Sequence, residues 1–174
     1  NIHFSVNRFG SVYSLDESLK NIKGTYVKDA SDIVITETNV DELENKSIKV
    51  TLFQNGTPAD LVQDKDYIVT KSGGDGKWSQ YEYTIDKKNF SGDGSYSIVI
   101  SSRDKAGNSN ENNDTSKGTE ISFGVDSTKP VVMPINIKQA GIYSAAKYEA
   151  DISVADNLLL KDVEILLNGT PADY

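Results

Sequence analysis

The sequence predicts an all-β protein made of antiparallel sandwiches repeated in tandem. Three observations carry that expectation: apolar residues alternate with period two, glycine- and asparagine-rich turns separate the alternating runs, and one stretch of chain returns in another. Alternation is what a strand with one buried and one wet face requires, because successive side chains point to opposite sides of a sheet. The return is the most specific of the three. Asn55-Gly56-Thr57-Pro58-Ala59-Asp60 reappears unchanged as Asn168-Gly169-Thr170-Pro171-Ala172-Asp173, 113 residues later, and Val50-Thr51-Leu52 ahead of it corresponds to Val163-Glu164-Ile165. Ile2-His3-Phe4-Ser5-Val6-Asn7 corresponds to Ile121-Ser122-Phe123-Gly124-Val125-Asp126, and Val12-Tyr13 to Val131-Val132, both at a spacing of 119. Solenoids and propellers repeat every 20 to 50 residues or so, so a period this long implies units with cores of their own. The expected partition is a closing strand of a preceding repeat at 1–7, a complete sandwich at 8–126 and the first half of a following repeat at 127–174.

Weak strands are expected around Val12 and Tyr26. Ile33 and Ile35 alternate with polar neighbours, as do Ile48, Val50 and Leu52, then Tyr67 and Val69, then Tyr81, Tyr83 and Ile85, then Tyr96, Ile98 and Ile100, and last Ile121, Phe123 and Val125. That gives seven to nine strands per unit. Asn55-Gly56 suits a type I′ hairpin, since both residues tolerate positive φ. Gly73-Gly74-Asp75-Gly76 and Gly92-Asp93-Gly94 are turn sequences of the same kind. No segment carries an apolar stripe at helical spacing, and Val40 to Lys46 has room for one helical turn at most. The expected core of the complete unit holds Ile35, Val50, Leu52, Tyr83, Tyr96, Ile98, Ile100, Phe123 and Val125.

Composition narrows the function classes. The chain has 174 residues, 37% hydrophobic and 25% charged, with a net charge of −8 and no cysteine. There is material for a core and none for a membrane span. With no basic stripe to neutralise phosphates, nucleic acid is not an expected partner. The missing cysteines remove disulfide scaffolds, thiol nucleophiles and Cys-ligated metals together.

Two segments carry a family resemblance. Asp93-Gly94-Ser95-Tyr96-Ser97-Ile98-Val99-Ile100-Ser101-Ser102-Arg103-Asp104-Lys105-Ala106-Gly107-Asn108 resembles the penultimate strand and following turn of bacterial immunoglobulin-like repeats. Phe123-Gly124-Val125-Asp126-Ser127-Thr128-Lys129-Pro130 is similar to their closing strand and joint, and Asp156-Asn157 with Val163 to Gly169 resembles their early strands. The resemblance implies an immunoglobulin-like sandwich from a bacterial cell-surface, cell-wall or secreted multidomain protein. In such proteins these repeats serve as stalks, spacers or adhesive modules, with neighbouring repeats as partners. The joint at Arg8-Phe9-Gly10-Ser11 lacks the Asp and Pro of the second, so the two joints are expected to differ in stiffness. Pro130 fixes φ and disfavours helix at Lys129, so the second should run extended.

Candidate sites each have two readings. Asp104, Asn108, Asp126 and Asp156 supply oxygen ligands of the kind calcium takes, and calcium at a joint would stiffen an array. The alternative is that these side chains close backbone turns. Trp78, the single tryptophan, with Tyr81 and Tyr83, offers an aromatic surface that a sugar ring could stack on; the alternative is a ring packed at the sheet edge. The Asn108 to Asp114 run reads as a solvated loop. Enzymatic chemistry lacks its parts, since the one histidine, His3, has no nucleophile or orienting acid beside it in sequence. The expected function is non-catalytic: a stalk or spacer, or a module contacting a glycan or host protein through Trp78 or the 103–117 loop.

Overall fold

The computed structural model describes residues 6–44, 46–73, 78–144, 147–172 and 174. The chain divides into two compact units, Asn1–Ser127 and Thr128–Tyr174. It is all-β, with strands in several sheets that pair antiparallel apart from one short parallel contact.

The first unit holds β1 (Val12–Leu15), α1 (Glu17–Ile22), β2 (Tyr26–Val27), β3 (Ile33–Asn39), β4 (Lys49–Gln54), β5 (Thr57–Asp60), β6 (Tyr67–Gly73), β7 (Ser79–Ile85), β8 (Gly94–Arg103), β9 (Ser109–Glu111) and β10 (Ile121–Val125). One sheet runs β1-β3-β7-β6. The other runs β2-β10-β8-β4-β5, with β9 also paired to β8. Among the described strands β2 pairs parallel with β10, Gly124 lying opposite Tyr26 and Val125 opposite Val27. Gly124 is required there, because a Cβ would fall 2.3 Å from the Tyr26 ring.

The two sheets share one core. Ile33, Ile35, Tyr83 and Ile85 from the first join Val50, Leu52, Tyr96, Ile98, Ile100, Ile121, Phe123 and Val125 from the second. The nine core positions expected from alternation are all buried. Tyr96 stacks on Phe123 and meets Phe90 edge-on, while its hydroxyl donates to the Gly92 carbonyl at 2.6 Å. A ring in the core with its polar tip on backbone satisfies both halves of a tyrosine. The β4–β5 hairpin turns on Asn55 (φ 50°) and Gly56 (φ 80°), as the Asn-Gly pair predicts.

Two local expectations are corrected. Helix appears at Glu17–Ile22, not at Val40 to Lys46, where Leu43 forms a bridge with Asp104 and Lys46 takes φ 64°. Asp16 caps α1 by accepting from the Leu19 N–H, and Leu19 is the helix's one buried residue, too little to make a readable stripe. Ten strands stand among the described residues of this unit, more than expected, because β5 and β9 bury too little apolar surface to show as alternation. His3 and Gly74 to Gly76 lie outside the described residues.

The second unit has β11 (Val131–Pro134) antiparallel to β12 (Ile152–Ala155), and β13 (Leu166–Leu167) antiparallel to β14 (Thr170–Pro171). Asn168 (φ 53°) and Gly169 (φ 80°) reproduce the Asn55-Gly56 turn within a few degrees. Its apolar side chains are open: Val131, Val132, Met133, Leu166 and Leu167 are all exposed.

Candidate functional site

The most heavily built polar region of the first unit lies where β3 ends and β8 gives way to its following turn. Alternation along β3 turns residues 33, 35, 37 and 39 inward, so the phase that buries Ile33 and Ile35 also buries Glu37 and Asn39. The Glu37 carboxyl group is fully enclosed. It accepts hydroxyls from Ser11 and Ser102 at Oε1 and from Tyr83 at Oε2, each at 2.5 Å. Tyr13 stands directly opposite Glu37 across the β1–β3 register. Its buried hydroxyl has no partner in bonding geometry, though Glu37 and Ser102 are its neighbours. Burial first, then the Glu37 charge, pushes the Tyr83 and Tyr13 phenols well above their ordinary range. A buried polar group without a bond is costly, so three hydroxyls on one carboxyl group is the arrangement that makes Glu37 tolerable in a core.

Beside it, Asp104 is equally buried. It accepts from the Asn108 backbone N–H at 2.9 Å and from the side-chain amides of Asn108, Asn7 and Asn39 at 2.8, 3.3 and 3.4 Å. The turn is closed by Asp104 N–H to the Asn108 carbonyl and Gly107 N–H to the Asp104 carbonyl, with Gly107 at φ 91°. Glu42 ties this turn to β6 through Lys105 and Lys71. Those two ammonium groups lower its carboxyl to about 2.

The structure brings together only part of the expected oxygen cluster. Asp104 and Asn108 are partners. Asp126 lies at the other end of the sheet: β10 is antiparallel to β8, so Val125 sits opposite Gly94, while Asp104 follows Arg103. The ten residues of β8 put the two ends roughly 30 Å apart at about 3.3 Å per residue. Asp104 and Asp126 therefore cannot hold one ion. Asp156 belongs to the second unit, where it accepts from the Leu158 N–H in a local turn. Asp104 is moreover surrounded by N–H donors, which a cation would have to displace. Among the described residues, no group of three or more His, Cys, Asp or Glu side chains is placed to hold a metal.

The aromatic surface also separates. Trp78 is half exposed, but Tyr81 is 6% exposed and its hydroxyl accepts from the Leu43 N–H at 2.9 Å. Tyr81 thus has no free face for a sugar. The Asn108 to Asp114 run is not simply solvated either. Asn112 is fully buried, accepting from the Ile100 N–H at 2.6 Å and donating to the Ile98 and Thr119 carbonyls. Its amide stands in for the ladder bonds β8 would otherwise lose between β9 and β10.

An open groove of about 570 Å³ runs along this edge, lined by Glu44, Lys46, Ser101, Arg103, Ser109 and Glu111 among others. It adjoins the start of the 103–117 segment. Sequence reading missed Glu37, Ser11, Tyr13 and Ser102 as a cluster, although Glu37 stands in the inward phase of its strand.

Comparison with family models, curated proteins and solved structures returns no match. Among the described residues no helix is long and apolar enough to cross a membrane.

Proposed function

We propose that this chain belongs to a tandem array of immunoglobulin-like sandwich repeats and works without catalysis, as a stalk or spacer in a bacterial surface, cell-wall or secreted protein. The observation that carries this reading is the repeated register. Val12 opposes Thr38 and Leu15 opposes Ile35 in β1–β3; in β11–β12, Val131 and Pro134, 119 residues after Val12 and Leu15, oppose Ala155 and Ile152, each 117 residues after Thr38 and Ile35. The Asn-Gly hairpin returns likewise, with Gln54 opposite Thr57 and Leu167 opposite Thr170. The strand order supports the sandwich class, since β1-β3-β7-β6 and β2-β10-β8-β4-β5, with a short first-edge strand parallel to the last, follow the two-sheet arrangement of immunoglobulin-like domains. The Asp-x-Ala-Gly-Asn turn supports the bacterial repeat resemblance, which in turn supports an extracellular setting and neighbouring repeats as partners.

A spacer must yield as one body under load. Pulling the chain from its ends should release the first unit in a single event of about 40 nm, at about 3.4 Å for each of the residues it frees. Release in several small steps would contradict a cooperative spacer unit. The groove beside Arg103 favours a second reading, an adhesive module that takes a glycan or host protein at the 103–117 side and not at Trp78. Saturable binding on a glycan array, lost in Arg103→Ala and kept in Trp78→Ala, would select it. Among the described residues no group of three or more acidic side chains is placed to hold calcium.

A further inference from the structure

Equivalent strands in adjacent units raise a folding hazard: a strand from one unit can be taken up by the other. The hazard is concrete here. Among the described residues β1 stands at the edge of its sheet, paired with β3, so β11 could displace it without breaking the rest of the sheet. β11 follows β1 at a spacing of 119 and β12 follows β3 at 117, and the Asn-Gly-Thr-Pro-Ala hairpins are identical, so neither the strand spacing nor the hairpin discriminates between right and wrong partners. One position does. Where the first unit opposes Tyr13 to Glu37, the second opposes Val132 to Val154. Ser11, which donates to Glu37, corresponds to Pro130, which has no hydroxyl or N–H to give.

We propose that the buried Glu37 cluster is a pairing lock that makes β3 accept β1 and reject the equivalent strand β11 of the neighbouring unit. This rests on the tandem-repeat reading and goes beyond it. In the wrong pairing, Glu37 would face a valine and lose the Ser11 hydroxyl, leaving part of a fully enclosed carboxyl group unpaired. The reverse exchange would set Tyr13 opposite Val154, which has no side-chain polar atom to meet its hydroxyl. The lock works through the penalty on wrong partners. A buried polar cluster adds little to stability compared with well-packed hydrocarbon, while leaving one partner unpaired is expensive. Replacing Tyr13 and Glu37 by valines should therefore remove the discrimination without unfolding the unit.

The chain has no cysteine, so strand pairing can be read by disulfide trapping. Val12 and Thr38 oppose each other with side chains away from the core, as do Val131 and Ala155. Three full-length reporters are refolded from denaturant and oxidised: Val12→Cys with Thr38→Cys for the native pair, Val131→Cys with Ala155→Cys for the second unit's own pair, and Val131→Cys with Thr38→Cys for the exchanged pair. Each is made with and without Tyr13→Val and Glu37→Val. The expected result is that the first two cross-link in the parent background and the exchanged pair rises by at least about tenfold when the lock is removed. If both own-pair reporters cross-link and the exchanged pair stays at background in the valine variant, the lock is refuted while the repeat reading stands. If Val131→Cys with Ala155→Cys does not cross-link, the register equivalence fails, and the lock with it. Circular dichroism and thermal melting of the valine variant show whether the first unit still folds. Should it fail to fold, discrimination is not the cluster's role and the proposal is overturned.

Discussion

Tyr13 opposes Glu37 in β1–β3 and Val132 opposes Val154 in β11–β12, yet Tyr13 is 8% exposed and Val132 63%. The difference lies in what stands around them. In the first unit β3 goes on to pair with β7, and β4, β8 and β10 close over the inner face, so every inward residue of β3 is buried. In the second unit, among the described residues, β11 and β12 pair only with each other, and beneath Val132, Ile152 and Val154 opens a groove of about 960 Å³. Register and turn geometry are thus local properties, reproduced in both units. Burial is a property of the completed sandwich. A strand pair alone is marginal at best, and three or more strands with a covered face are needed for independent stability.

Tyr96→Ala removes a 2% exposed ring and its bond to Gly92, and should cost about 3 to 5 kcal/mol in chemical denaturation. Val132→Ala, on an open face, should stay within about 0.5 kcal/mol. An unchanged transition for Tyr96→Ala would overturn the core assignment. Glu37→Ala should cost about 1 to 3 kcal/mol, because it strands the hydroxyls of Ser11, Ser102 and Tyr83 together. Asn55→Ala puts a Cβ residue with no turn-forming side chain at φ 50° and deletes the acceptor for the Ser95 N–H. About 1 to 2 kcal/mol is expected there, and no change in the unfolding midpoint from Asn168→Ala, whose turn is the same but whose unit has no core to unfold.

The smallest effect expected is electrostatic. The Glu42 carboxyl is lowered from 4.5 to about 2 by Lys105 and Lys71, so its contribution is complete above about pH 4.5 and fades as pH falls toward 2. The group is exposed and screened, so Glu42→Gln should flatten the acid limb of the melting curve only slightly within that window. A shift above pH 6 instead would contradict the assignment.

What was legible in the chain follows the same division between local and completed structure. Alternation gave the strands, and Asn55-Gly56 gave the hairpin, since both depend on neighbours in sequence. Glu37 was hidden because a carboxyl group in the inward phase reads as an interruption of the apolar pattern. Only its three hydroxyl donors, from 26 to 65 residues away, make that position tolerable. Asn112 was hidden for a related reason: a polar residue in a polar run gives no hint that its amide will replace ladder bonds. The separation of Asp104 from Asp126 could have been inferred, because a strand lies between them and its two ends cannot meet. α1 escaped because one buried leucine makes no stripe.

Native-state hydrogen exchange on the full chain separates a unit with a covered core from one whose strand pairs have none. Amides of β3, β7 and β8 should exchange only through global unfolding of the first unit, while those of β11, β12, β13 and β14 exchange with little protection. Protection of β11 and β12 equal to that of β8, in a monomeric sample, would contradict that separation.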